Sequence, residues 1–133
     1  MKRSMLLVLA AKPGFRELRR TTPLIATWDD IDFAEIERLV FISGDTHYAE
    51  LSRLDTRTAY PLYDLTFSGL TEVWPVFGPN RNRIAQAPLQ PNFGRLTIDW
   101  SGPSPAVLME VQLLDGSVAI SRSVPFSELM QGR

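Results

Sequence analysis

Leu39-Val40-Phe41-Ile42-Ser43-Gly44-Asp45-Thr46-His47 opens with four apolar residues and then breaks into Ser, Gly, Asp and His. A short continuous apolar run closed by glycine reads as a strand buried on both faces, the kind found in covered parallel sheets. Upstream, Pro23-Leu24-Ile25-Ala26-Thr27-Trp28 repeats the pattern and ends in Asp29, Asp30 and Asp32. Parallel strands gather the polar residues beyond their carboxyl ends at one edge, where ligands bind in open sheets of this kind. The two runs therefore predict neighbouring parallel strands that bring Asp29, Asp30, Asp45 and His47 to a common edge. Residues 29–38 make the link between them, whereas a parallel connection usually takes a dozen residues or more.

The downstream half has a different period. In Phe93-Gly94-Arg95-Leu96-Thr97-Ile98-Asp99-Trp100 apolar and polar residues alternate, as they do again at Val107, Met109, Val111 and Leu113 and at Val118 and Ile120. Alternation marks strands with one buried face. Asp115-Gly116 between two such segments is a hairpin signal, and Ser101-Gly102-Pro103-Ser104-Pro105 supplies the preceding turn. A three-stranded antiparallel meander over 93–123 is expected. Tyr60 to Phe67 reads as a further strand, and 71–92, rich in Pro, Asn and Gly, as a long loop.

Short helices complete the pattern. Phe15 and Leu18 stand three apart among charged residues, and Asp32 with Glu35 fits an N-cap and N3 acid opening a helix from Phe33 to Arg38. Lys2-Arg3 and the apolar run from Met5 to Ala11 imitate a signal peptide, but Lys12-Pro13-Gly14 stands where small residues around a cleavage site belong. A buried helix is the better reading, and the run is far short of the ~20 apolar residues that span a bilayer. The expected class is α+β: one domain over 1–133, with a small mixed sheet, short helices and a C-terminal antiparallel meander.

Composition narrows the partners. With 44% hydrophobic residues, a chain of 133 can bury a true core. A net charge of -1 provides no bulk attraction to nucleic acid or anionic membrane. There is no cysteine, so a bound metal would need Asp, Glu, Asn, His or backbone oxygen.

The stretch from Leu39 to Leu51 resembles the Ser-Gly-Asp-x-His motif of PhoD-like (alkaline phosphatase D type) metallophosphatases. Tyr60-Pro61-Leu62-Tyr63-Asp64-Leu65-Thr66-Phe67-Ser68-Gly69-Leu70-Thr71 and Asn92 to Trp100 are similar to stretches that follow that motif in the family, and Phe15 to Asp30 to the approach to its Trp-Asp-Asp-His-Asp motif. The matches cover most of the chain, in the family's order, and correspond to its C-terminal part. They imply a metal-dependent phosphoric ester hydrolase of a secreted or periplasmic bacterial type, using calcium and iron, or manganese or zinc, to polarise the phosphoryl group and generate a hydroxide nucleophile. On the match, His47 is an imidazole ligand and Asp45, Asp29 and Asp30 are carboxylates at the metal site. Ile31 stands where the family has a histidine, His47 is the chain's one histidine, and the family's first aspartate motifs have no counterpart. The resemblance also jumps from the paired aspartates straight to Ser43-Gly44-Asp45, which with the short 29–38 link implies an internal deletion and an incomplete metal site, weakly active or inactive alone.

Other residues admit two readings. Arg81 and Arg83, alternating with Asn80 and Asn82, could hold a phosphate through the planar guanidinium fork, or belong to a solvated loop. Trp28, Trp74 and Trp100 read as packing residues. Beside the phosphoesterase stand a non-catalytic structural or interaction domain and a truncated remnant whose exposed sheet edges promote self-association.

Overall fold

A computed structural model describes residues 24–26 and 38–130. The expected helices before residue 38, the 29–38 link, and Asp29, Asp30 and Ile31 lie outside the described residues. Eight strands follow in order: β1 Leu24–Ala26, β2 Leu39–Ser43, β3 Ala49–Leu54, β4 Leu62–Phe67, β5 Arg83–Gln86, β6 Asn92–Asp99, β7 Ala106–Leu113 and β8 Val118–Pro125. A single 3-10 turn, Phe126–Leu129, is the helical element among the described residues.

The strands form a five-stranded mixed sheet, ordered β1-β2-β4-β3-β5, and a three-stranded sheet, ordered β6-β7-β8. β1 and β2 are parallel, as the two apolar runs predict, and β2 is also parallel to β4. The meander is antiparallel throughout, running from Asn92 to Pro125. Its second hairpin turns at Asp115-Gly116, where Gly116 has φ +85° and the Asp115 carboxylate accepts from the Ser117 amide at 2.8 Å.

The α+β expectation is overturned: the described chain is nearly all sheet, two sheets in a sandwich-like arrangement. The reason lies between β2 and β4. A parallel pair needs a return path, and a helix usually supplies it. Here β3 makes the return as an extended strand, pairing antiparallel with β4 from Ala49↔Phe67 to Leu54↔Leu62. The 71–92 segment is likewise not all loop, since β5 lies within it and pairs with β3.

Registration sorts the larger sheet into two faces. Val40, Ile42, Ala49, Leu51, Tyr63, Leu65, Phe67 and Ala85 share one face through the pairs Val40↔Tyr63, Ile42↔Leu65 and Leu51↔Ala85. This face meets the inward residues of the meander, among them Leu96, Val107, Met109, Val111, Ile120 and Val124, in one hydrophobic core. Each such side chain contributes about 1.5–3 kcal/mol on full burial. At the rim the Tyr63 hydroxyl donates to Glu128 Oε1 at 2.6 Å. Tyr63 is thereby held above its ordinary pKa, first by burial and then by that bond.

The two sheets meet closely where Phe67 lies over Gly94. A Cβ at position 94 would run into the Phe67 ring, so the contact requires glycine. Gly94→Ala is expected to cost about 1–3 kcal/mol of stability through overpacking, read from the urea midpoint. Phe67→Leu in the same chain should recover part of that loss, and strictly additive costs would show that the ring and the glycine are not coupled.

Candidate functional site

The opposite face of the five-stranded sheet carries the buried Leu39 and Phe41 on β2 and, beside them, a polar cluster. Ser43, Asp64, Thr66, Glu50, Ser52 and Arg83 fall on it through the pairs Ser43↔Thr66, Glu50↔Thr66, Ser52↔Asp64 and Ser52↔Arg83. Ser43 Oγ donates to Asp64 Oδ1 at 2.8 Å and lies 2.7 Å from Thr66 Oγ1. Burial raises the pKa of the Asp64 carboxyl, the Glu50 charge adds to the rise, and the Ser43 hydroxyl partly offsets both.

Glu50 is buried, which requires compensation for a carboxylate. Arg83 Nε donates to its Oε2 and Asn80 Nδ2 to its Oε1 at 2.6 Å. The register shift between Leu51 and Ser52 sets Ile84 aside as an extra residue, so that Arg83 opposes Ser52 and turns to the polar face. The remaining contacts of Arg83 are a bond from Nη2 to the Gly78 carbonyl at 2.6 Å and a guanidinium 5.1 Å from the Phe77 ring centre. Of the two arginines proposed from sequence for a phosphate, Arg83 thus has Nε and Nη2 engaged within the protein, while Arg81 lies exposed in the adjoining turn.

Asp45 and His47 occupy the loop that leaves the carboxyl end of β2. Both have left-handed backbones, φ +65° and +55°. Asp and His are among the non-glycine residues most often found there, and such outliers gather at functional sites. The loop is pinned on two sides: the His47 amide donates to Ser68 Oγ at 2.9 Å, and the His47 carbonyl accepts from the Trp74 amide at 3.0 Å. The Trp74 and His47 rings are parallel within 10°, with centres 5.9 Å apart. Gly69 passes so close that a Cβ would meet Asn92 Nδ2 and approach the His47 carbonyl to 3.4 Å.

Three buried polar atoms in this neighbourhood have no hydrogen-bond partner among the described residues: Thr46 Oγ1, His47 Nδ1 and Asn92 Oδ1. Buried polar atoms normally have one. An imidazole nitrogen without a partner among the described residues, with the exposed Asp45 carboxylate two residues away, suits half of a site for a borderline or hard cation. Among the described residues no group of three or more His, Asp or Glu lies together. Asp29 and Asp30, expected at the neighbouring strand end, fall outside the described residues.

Glu50 and Asn92 were not singled out from sequence, although Glu50 stands beside Leu51 in an alternating stretch and Asn92 opens a strand. Neither residue type announces its burial. Also among the described residues, no helix is long and apolar enough to cross a membrane.

Removing one member of a buried ion pair leaves the other unpaired, at a cost of about 3–5 kcal/mol. Glu50→Ala should therefore lower stability on that scale by urea unfolding; a loss under about 1 kcal/mol would mean that water compensates Arg83. Asp64 gives a pH signature. Its folded pKa is raised, so the carboxylate opposes folding above that value and the opposition disappears as pH falls below the ordinary aspartate range. Asp64→Asn should raise the urea midpoint at neutral pH, with the advantage vanishing in acid. An equal gain at both pH values would contradict this origin.

No family model, curated protein or solved structure matches the chain significantly.

Proposed function

We propose that this chain is the C-terminal part of a PhoD-like, metal-dependent phosphoesterase with an incomplete metal site. The observation that carries the reading is the loop after β2, where Asp45 and His47 have left-handed backbones at the end of a parallel strand and His47 Nδ1 has no partner among the described residues. In that reading His47 and Asp45 are the ligands contributed by β2, and Asp29 and Asp30 those contributed by the end of β1. The metal, when bound, polarises the phosphoryl oxygens and supplies a hydroxide. The chain's own residues fix the ligand loop: Ser68 and the Trp74 amide hold the His47 backbone, and Gly69 admits Asn92 behind it.

A non-catalytic interaction domain is the second reading. It is favoured by Arg83, whose Nε and Nη2 are turned inward to Glu50 and Gly78.

Hydrolysis of p-nitrophenyl phosphate and bis-p-nitrophenyl phosphate, with iron, calcium, manganese or zinc supplied in turn, separates the two. The phosphoesterase releases p-nitrophenol only with metal, and His47→Ala lowers the rate at least ~100-fold, about 2.7 kcal/mol of lost transition-state stabilisation. Absence of turnover with every metal, together with an imidazole signal that manganese does not broaden, would leave the non-catalytic domain.

A further inference from the structure

The loop bearing Trp74 is fastened along β3. Trp74 meets His47, Phe77 packs edge-on against Tyr48 with ring centres 5.0 Å apart, Asn80 reaches Glu50 and Ser52, and the Arg53 amide donates to the Asn82 carbonyl at 2.8 Å. After these contacts the chain turns back as β5, and the Ala87 amide returns to the Ala49 carbonyl at 3.0 Å. Successive loop residues are thus matched to successive residues of 47–53, which delivers the indole to one place.

At that place the indole contributes little to the core, being 51% exposed. What it covers is His47. A ligating imidazole is ordinarily oriented by a hydrogen bond from its second nitrogen to a carboxylate, carbonyl or water. No hydrogen bond to a described residue orients the His47 ring, whichever nitrogen would face a metal, while the ring lies nearly parallel to the Trp74 indole, and Trp74 also donates its amide to the His47 carbonyl. One residue therefore restrains both the backbone and the ring plane of His47.

We propose that Trp74 is the positioning residue for His47: the stacked indole fixes the imidazole plane that a hydrogen-bonded partner would otherwise set. The purpose of this arrangement rests on reading His47 as a metal ligand, whereas its geometry does not.

His47 is the chain's one histidine, so its imidazole protons give one unambiguous set of nuclear magnetic resonance signals. In the unaltered protein, cross-relaxation between indole and imidazole protons and a ring-current displacement of the imidazole signals are expected. Trp74→Leu should abolish that displacement with the dispersed amide spectrum retained, and Trp74→Phe should keep part of it. Imidazole signals unmoved by Trp74→Leu would overturn the proposal. Should that variant fail to fold, absence of cross-relaxation in the unaltered protein overturns it equally.

Zinc titration of the same signals tests the purpose. Trp74→Leu should need about tenfold more zinc than the unaltered protein to move them, at the low end of the cost of losing a ligand's supporting partner, and Trp74→Phe less than that. Equal midpoints in the unaltered and Leu proteins would overturn the positioning role. Imidazole signals indifferent to zinc in the unaltered protein would sink the metal-ligand reading, with the ring-current comparison still deciding the stack.

Discussion

The buried carboxylate of Glu50 is the constraint around which the site is arranged. An ionised group inside a protein must be compensated by opposite charge and by donors, and on this face β3 and β4 offer it hydroxyls and a second carboxylate, Asp64. The compensation comes from Arg83 and Asn80, which belong to a segment that must fold back over the sheet to deliver it. That obligation orders a proline-rich stretch whose Trp74, Val76 and Ile84 remain largely exposed. Trp74 and Phe77 are carried into position by the same fold-back, so the surroundings of His47 depend on an ion pair several residues away.

Alternation sorts the two faces of the larger sheet. One face is apolar and joins the meander; the other carries Ser43, Asp64, Thr66, Glu50 and Ser52 beside Leu39 and Phe41 of β2. Because successive residues point to opposite sides, a one-residue slip of β4 would exchange Leu65 for Thr66 in the core and ruin both faces together. The strand-end loop inherits its precision from this registration, since Ser43 is locked to Asp64 and Thr66 just before the chain turns left-handed at Asp45.

Much of this was legible in the residues. The apolar runs before Asp29 and Gly44 gave the parallel neighbours, and the alternation after Asn92 gave the meander nearly to its ends. The class was not legible, because a parallel pair suggests a helical return and β3 hides its nature: its alternation places Glu50 where an apolar residue signals burial. β5 is four residues long and irregular in register, so no periodicity could reveal it. For the candidate site, the position of Asp45 and His47 beyond β2 followed from the glycine that ends the strand. The engagement of Arg83 by Glu50 did not, because it joins residues 33 apart through a bulge that leaves no mark in the sequence.

The two sheets also differ in how far along the chain their partners are found. Every pairing in the meander joins neighbours through a turn, and such local contacts close quickly because little loop entropy is lost. The mixed sheet must instead thread β4 between β2 and β3. On a ribosome the fast-forming half emerges after the mixed sheet, so the strands bearing the imidazole wait, with their apolar side uncovered, for the hairpins that will cover it. Apolar surface left open in this way is where a nascent chain is prone to stick to its neighbours.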